Sequence, residues 1–193
     1  MSRLFDAIRA DQRPAFATTL SVQLLVAASI LSLLVLWLTA LGRPFLCPCG
    51  TVSLWVGDVR SSQASQQFSD WYALLHLVFG LGLFVFLDWM KPNWSTGQKL
   101  LVAIASSAAW EAVENLPFVI ALFGQAEGAP PYEGDSVLNA VADTAFVVAG
   151  FFVASALPLA AVIAVATALE ILVWRMAGDG YALGTLRLIG VPV

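Results

Sequence analysis

Charged side chains are scarce in this sequence. Asp, Glu, Lys and Arg make up 11% of its 193 residues, against about 25% in an ordinary soluble domain. A water-soluble fold could not cover its surface with so few. With 60% of the chain hydrophobic, the composition specifies an integral membrane protein. Basic residues are the scarcer sign, 9 against 13 acids, for a formal net charge of −4. That balance excludes nucleic acid as a partner, because neutralising phosphates requires a basic face. Histidine occurs once and cysteine twice, too few for a zinc site of recognisable spacing or a haem-attachment Cys-x-x-Cys-His. The sequence also lacks a phosphate-binding glycine loop and a Gly-x-Ser-x-Gly nucleophile turn.

Long apolar runs are what the sequence has instead. About 20 apolar residues in a helix cross about 30 Å of hydrocarbon, and stretches 18–41, 71–90, 100–123, 137–157 and 159–176 meet that length. The expected fold class is all-α, a polytopic membrane bundle of about five helices forming one domain over residues 1–193. Pro158 places the fourth and fifth spans in a tight helical hairpin. Residues 43–70 form an outer loop, whose polar part from Ser53 to Phe68 reads as a loop, a surface helix or a partner surface. The tail 177–193, broken by Gly178, Gly180, Gly184 and Gly190, is expected to be interfacial. Arg3, Arg9 and Arg13 precede a first span without an Ala-x-Ala exit, which reads as an uncleaved anchor.

Orientation follows from the Lys/Arg bias. A cytoplasmic N-terminus puts Arg3, Arg9, Arg13, Lys91 and Lys99 inside, and Arg43, Arg60, Arg175 and Arg187 outside. The acidic loop with Glu127, Glu133 and Asp135 then also faces out.

Polar residues within the later spans are the informative exceptions: His76, Asp88, Glu111, Glu114, Asn115, Asn139, Asp143 and Glu170. A carboxylate at a helix centre costs roughly 2.5–3.5 kcal/mol on insertion scales. At a rise of ~1.5 Å per residue, His76 lies ~9 Å below the outer end of its span, Glu114 ~13 Å, Asp143 ~12 Å, Asn139 ~6 Å and Glu170 ~9 Å. The costly groups therefore share one level in the outer half of the membrane. Asp88 alone is at the inner end, where it reaches water. Faces agree with depth, because Asp135, Asn139 and Asp143 recur every four residues, as do Ser107, Glu111 and Asn115, and Tyr72, His76 and Gly80. Gly80, Gly82 and Gly150 allow close helix approach beside them. Together these residues imply a polar pocket opening to the outer side, with Trp110 in its wall.

These residues resemble an uncharacterised family of multi-pass membrane proteins of proteobacteria, of unknown function. The matching pieces are Cys47-Pro48-Cys49-Gly50, then Ser69-Asp70-Trp71-Tyr72 with His76 and Gly80. They continue with Trp110-Glu111-x-x-Glu114-Asn115-x-Pro117-Phe118 and Gly134-Asp135-Ser136-x-x-Asn139-x-x-x-Asp143. The resemblance implies a bacterial inner-membrane location and supplies no reaction. The chain departs from the family pattern in having Phe79 for a second histidine and Ser107 for another glutamate, and in lacking basic residues near 122–124. A looser likeness is to VanZ-like membrane proteins and to lipoprotein signal peptidases, through Asn139-Ala-Val-Ala-Asp143.

Several chemistries suit this set. Glu114, Asp143 and His76 are candidate catalytic groups, with Glu114 and Asp143 as an acid–base pair for hydrolysis. Glu111, Asn115, Asp135, Asn139, Tyr72 and Trp110 are candidate ligand-binding residues for a lipid head group or small ligand. A divalent metal on His76 and the carboxylates is a further option, of unassigned identity. The bland alternative is a hydrogen-bonded network that locks the bundle, as in an accessory or scaffold subunit of a larger membrane complex. Membrane lipid and such a complex are the expected partners. Cys47 and Cys49 enclose one residue, a small ring that disfavours a structural disulfide; free thiols, a redox-labile pair or a bend fixed by Pro48 are the readings left.

Overall fold

The computed structural model of the protein describes residues 19–124, 132–189 and 191, and among these it is helical without strands. The helices are α1 (Leu20–Ala40), α2 (Ala73–Met90), α3 (Thr96–Glu114), α4 (Pro117–Gly124), α5 (Val137–Ala156), α6 (Leu159–Ala177) and α7 (Tyr181–Leu188). Arg3, Arg9, Arg13 and Glu127, on which part of the expected orientation rests, lie outside the described residues.

Local chemistry sets most helix ends. Thr19 caps α1, its hydroxyl accepting from the Val22 N–H. Ser95 and Gln98 form a reciprocal capping box at α3, and Ser136 caps α5 through the Asn139 N–H. Gly178 ends α6 in the left-handed region at φ 67°, which glycine adopts without a Cβ clash.

Among the described residues, four helices are long and apolar enough to cross a membrane: α1, α2, α5 and α6. The expected third span, 100–123, is not one continuous helix. The chain breaks at Asn115–Pro117, so that α3 ends at Glu114 and α4 restarts at Pro117. Pro117 lacks an N–H and crowds the preceding turn, which favours the break seen here. Helix α3, which carries Lys99, Glu111 and Glu114, is not among the four.

Helices α2, α3 and α5 form the centre, with α1 lying mainly on α3 and α6 mainly on α2. The turn at Leu157–Pro158 is tight as expected, but α6 leans on α2 more than on α5. Leu81 of α2, Ala154 of α5 and Val162 of α6 meet in one buried cluster. The α2–α5 crossing is the closest-fitted contact. A Cβ on Gly80 would strike the Val147 carbonyl, and one on Gly150 the Leu77 carbonyl. Gly82, expected to act likewise, faces open space. Outer helix faces carry large exposed apolar residues, including Leu24, Leu33 and Leu36 on α1 and Ile163 and Ile171 on α6. Lipid tails are the natural cover for such faces.

The loop before α2 is irregular, and its polar residues turn inward. Ser65, Gln66, Gln67, Ser69 and Asp70 are all buried, so much of the polarity of 53–70 serves internal bonding, and the segment forms no surface helix; Asp58, Arg60 and Ser62 stay exposed. Gln67 accepts from the Ser53 N–H at 2.7 Å and donates to the Thr51 carbonyl at 3.2 Å. The expectation against a Cys47–Cys49 bond is also corrected, because the two are joined in a disulfide with Cα atoms 5.1 Å apart. Pro48 folds the chain so that this separation falls inside the usual bridging range of about 4.4–6.8 Å.

Candidate functional site

Three helices deliver the central group. His76, one turn into α2, stands between Glu111 of α3 and Asp143 of α5. Its Nδ1 is 3.4 Å from Glu111 Oε1 and its Nε2 is 3.7 Å from Asp143 Oδ2. The glycine contact between α2 and α5 is what brings His76 and Asp143 within reach. Among the described residues, His76, Glu111 and Glu114 each offer a metal-ligand atom within 4.8 Å of the others. Glu111 is fully buried, and neither of its carboxylate oxygens has a hydrogen bond; Asp143 Oδ1 is likewise unbonded.

A second cluster lies toward the helix ends. Asn115, freed from regular helix by the break before Pro117, donates to Asp135 Oδ2 at 2.6 Å and accepts from the Asp135 N–H at 2.8 Å. Tyr132 donates its hydroxyl to the same carboxylate at 3.0 Å, and Arg43 Nε donates to the Asp135 carbonyl at 2.8 Å. Asp135 precedes α5, and its pKa is raised to about 6. Burial causes the rise; the bonds from Asn115 and Tyr132 and the charge of Arg43 moderate it. Asp70, before α2, is also raised by burial, against backbone N–H donors that include Ser65 and Tyr72.

Between these clusters and the surface is a cavity of about 300 Å³, at the small end of the usual range for ligand pockets. Of the expected site residues, Tyr72, His76, Trp110, Glu114, Asp135 and Asp143 line it. Its walls are largely apolar, with Phe79 and Phe123 contributing, and among the described residues neither Lys nor Arg lines it. Three expected residues sit elsewhere. Glu111 lies behind the wall, and Asn115 is committed to Asp135 and the Glu111 carbonyl. Asn139 donates to the Gln67 carbonyl at 3.0 Å, holding the loop onto α5. Ser107, on the same stripe as Glu111, instead donates to Thr144 at 3.1 Å, pinning α3 to α5.

The tail adds to the cavity. Its expected interfacial segment forms α7, and Asp179, Gly180, Tyr181, Gly184 and Thr185 line the cavity. Tyr181 donates to the Leu75 carbonyl of α2 at 2.7 Å. Glu170, expected at the common polar level, accepts from the Ala182 N–H at 3.2 Å and so serves the start of α7. Sequence reasoning missed Tyr132, Asp179 and Tyr181. The usable signals were a costly Glu170 without a stated partner and a lone tyrosine after Gly178-Asp179-Gly180. Asp88, expected in contact with water, is 57% exposed and also accepts from Lys99 Nζ at 2.6 Å.

An all-helical arrangement with four membrane-crossing lengths and buried acids defines the class: a multi-helix membrane protein. Residues 38–193 match the family described as "Protein of unknown function (DUF2585)", and the chain belongs to that family. It is 42% identical over 165 residues to a UPF0314 protein of Sphingopyxis alaskensis, covering 86% of this chain and 88% of that one. Similarity extends to a UPF0314 protein of Rhizobium meliloti, at 40% identity over 86% of this chain and 84% of the relative. It extends also to one of Paracoccus denitrificans, at 38% identity over 83% of each. No solved structure matches.

Proposed function

We propose that this is an inner-membrane binding protein with a cytoplasmic N-terminus, whose cavity takes the polar head of a membrane lipid from the outer leaflet. The observation that carries the reading is a cavity lined by Glu114, Asp135, Asp143 and Asp179 among aromatic walls, with Arg43 engaged on the Asp135 carbonyl and neither Lys nor Arg among the described lining residues. Acids and aromatic faces together favour a cationic group, which makes an ammonium head such as ethanolamine the preferred ligand. The disulfide supports the orientation, since Cys47–Cys49 lies in the loop at the cavity end and such bonds persist outside the cytosol. Lys91 and Lys99 sit at the opposite end, in keeping with a cytoplasmic face. The looser likeness to VanZ-like proteins is in harmony with acids near the outer surface. If the bound lipid is also cleaved, Glu114, Asp143 and His76 are the groups placed to move a proton.

The test is native mass spectrometry of the full chain extracted in mild detergent and exposed to phosphatidylethanolamine or phosphatidylglycerol. Retention of the former, weakened about tenfold or more by Glu114→Gln or Asp143→Asn, supports the reading. Equal retention of both lipids, or of neither, refutes it. A scaffold role within a larger membrane complex is the second reading, favoured by Phe45, Leu54 and Trp55, which stand exposed on the loop at the cavity end. It predicts that a companion protein co-purifies unchanged with those same cavity variants.

A further inference from the structure

Glu111 presents a physical problem. Its carboxylate is fully buried, and both oxygens lack hydrogen bonds. Such a group is costly unless a counter-charge is supplied. The deficiency is local. Asn115, four residues on and equally buried, has its amide engaged on both sides. The unbonded atoms Glu111 Oε1, Glu111 Oε2 and Asp143 Oδ1 all belong to residues that flank His76.

We propose that this spot is a divalent metal site, with His76, Glu111 and Glu114 as ligands and Asp143 as the partner of the second imidazole nitrogen. Ligand atoms about 2.0–2.2 Å from a shared ion stand roughly 3–4 Å apart. The observed limit of 4.8 Å thus closes with a small inward shift of side chains. Glu111 is on the Nδ1 side of the ring and Asp143 on the Nε2 side. Metal on the first nitrogen and a carboxylate on the second is the arrangement that orients ligating histidines. One dication against the two ligating carboxylates leaves no net charge, which removes the penalty that the unbonded acid carries. One imidazole with two carboxylates suits manganese, iron or zinc better than magnesium, which prefers oxygen and retained water. His76 and Glu114 also line the cavity, so remaining coordination positions face its interior. The site shares Glu114 and Asp143 with the head-group reading but rests on the unbonded Glu111 carboxylate, which that reading does not use.

The experiment uses the full chain in detergent. Metal content after purification without chelator is measured by inductively coupled plasma mass spectrometry, and the chelator-stripped protein is titrated with Mn²⁺ and Zn²⁺. One ion per chain, a raised thermal midpoint on loading, and broadening of the Mn²⁺ paramagnetic resonance signal are expected. Asp143→Asn should weaken affinity about 10–100-fold, and Glu111→Gln and His76→Gln by more. Glu170→Gln, altered outside the site, should bind as the parent does. Should Glu111→Gln fail to fold, His76→Gln and the parent's own titration still decide. No saturable binding of either ion, or parent-like affinity in Glu111→Gln and His76→Gln, overturns the proposal. Lipid retention by the stripped protein is scored separately, so loss of one reading leaves the other standing.

Discussion

Replacing Asn115 by alanine tests the clamp between the helix break and the start of α5. The side chain makes three bonds: to Asp135 Oδ2 at 2.6 Å, to the Glu111 carbonyl at 3.0 Å, and from the Asp135 N–H at 2.8 Å. The bond to a carboxylate is worth about 1.5–3 kcal/mol and each neutral one about 0.5–1.5 kcal/mol, and the Asp135 N–H is left buried and unpaired. Asn115→Ala should therefore cost about 3–5 kcal/mol, measurable by SDS titration in mixed micelles with circular dichroism. The loss should also depend on pH. Because burial raises Asp135 to about 6, the native state holds a proton that the unfolded chain has released. That contribution to stability is complete below the ordinary carboxylate range and is lost as pH rises through about 6. Removing the Asn115 donor raises the native pKa further, so the variant's deficit should be larger at pH 8 than at pH 5. A loss under about 1 kcal/mol, or a deficit equal at both pH values, would refute the reasoning.

The glycine crossing makes a contrast of neighbours. Gly150→Ala and Gly80→Ala should each destabilise the bundle by about 1–3 kcal/mol or more, since rigid carbonyls stand where the new methyl must go. Gly82→Ala meets open space and should be neutral or stabilising by up to about 1 kcal/mol; thermal melts in detergent distinguish these outcomes. Tyr181→Phe removes the bond to Leu75, and hydrogen exchange across α7 should quicken about fivefold, matching roughly 1 kcal/mol. The disulfide should appear in intact-mass measurements as the loss of two hydrogens. After reduction, an impermeant maleimide added to whole spheroplasts should label it; labelling only after lysis would reverse the proposed orientation.

Much of the frame was legible because it rests on local rules. Of five apolar runs, four coincide with described helices long and apolar enough to cross a membrane, and helical spacing put His76 on one face of α2 and Glu111 and Glu114 on one broad face of α3. Where the sequence reading failed, either a local proline was given too little weight or a distant partner decided. The run 100–123 is apolar enough overall to suggest one span, yet Pro117 breaks it, and Asn115 uses the break to reach Asp135. Asn139 shares the stripe of Asp143 but meets the Gln67 carbonyl first. Cys47 and Cys49 could be judged by ring size alone, and the turn at Pro48 reversed that judgement.

The membrane address, the helix ends at Thr19, Ser95 and Ser136, and the set of costly acids were determined by composition and neighbouring residues alone. They depend on hydration energies and on backbone groups only a few residues apart. Only the tertiary structure decided that His76 stands between Glu111 and Asp143, that Asn115 serves Asp135, and that the tail walls the cavity as α7. Periodicity assigns a side chain to a helix face; which groups that face meets depends on how closely the helices approach, and here the backbone contact of Gly80 and Gly150 sets that distance.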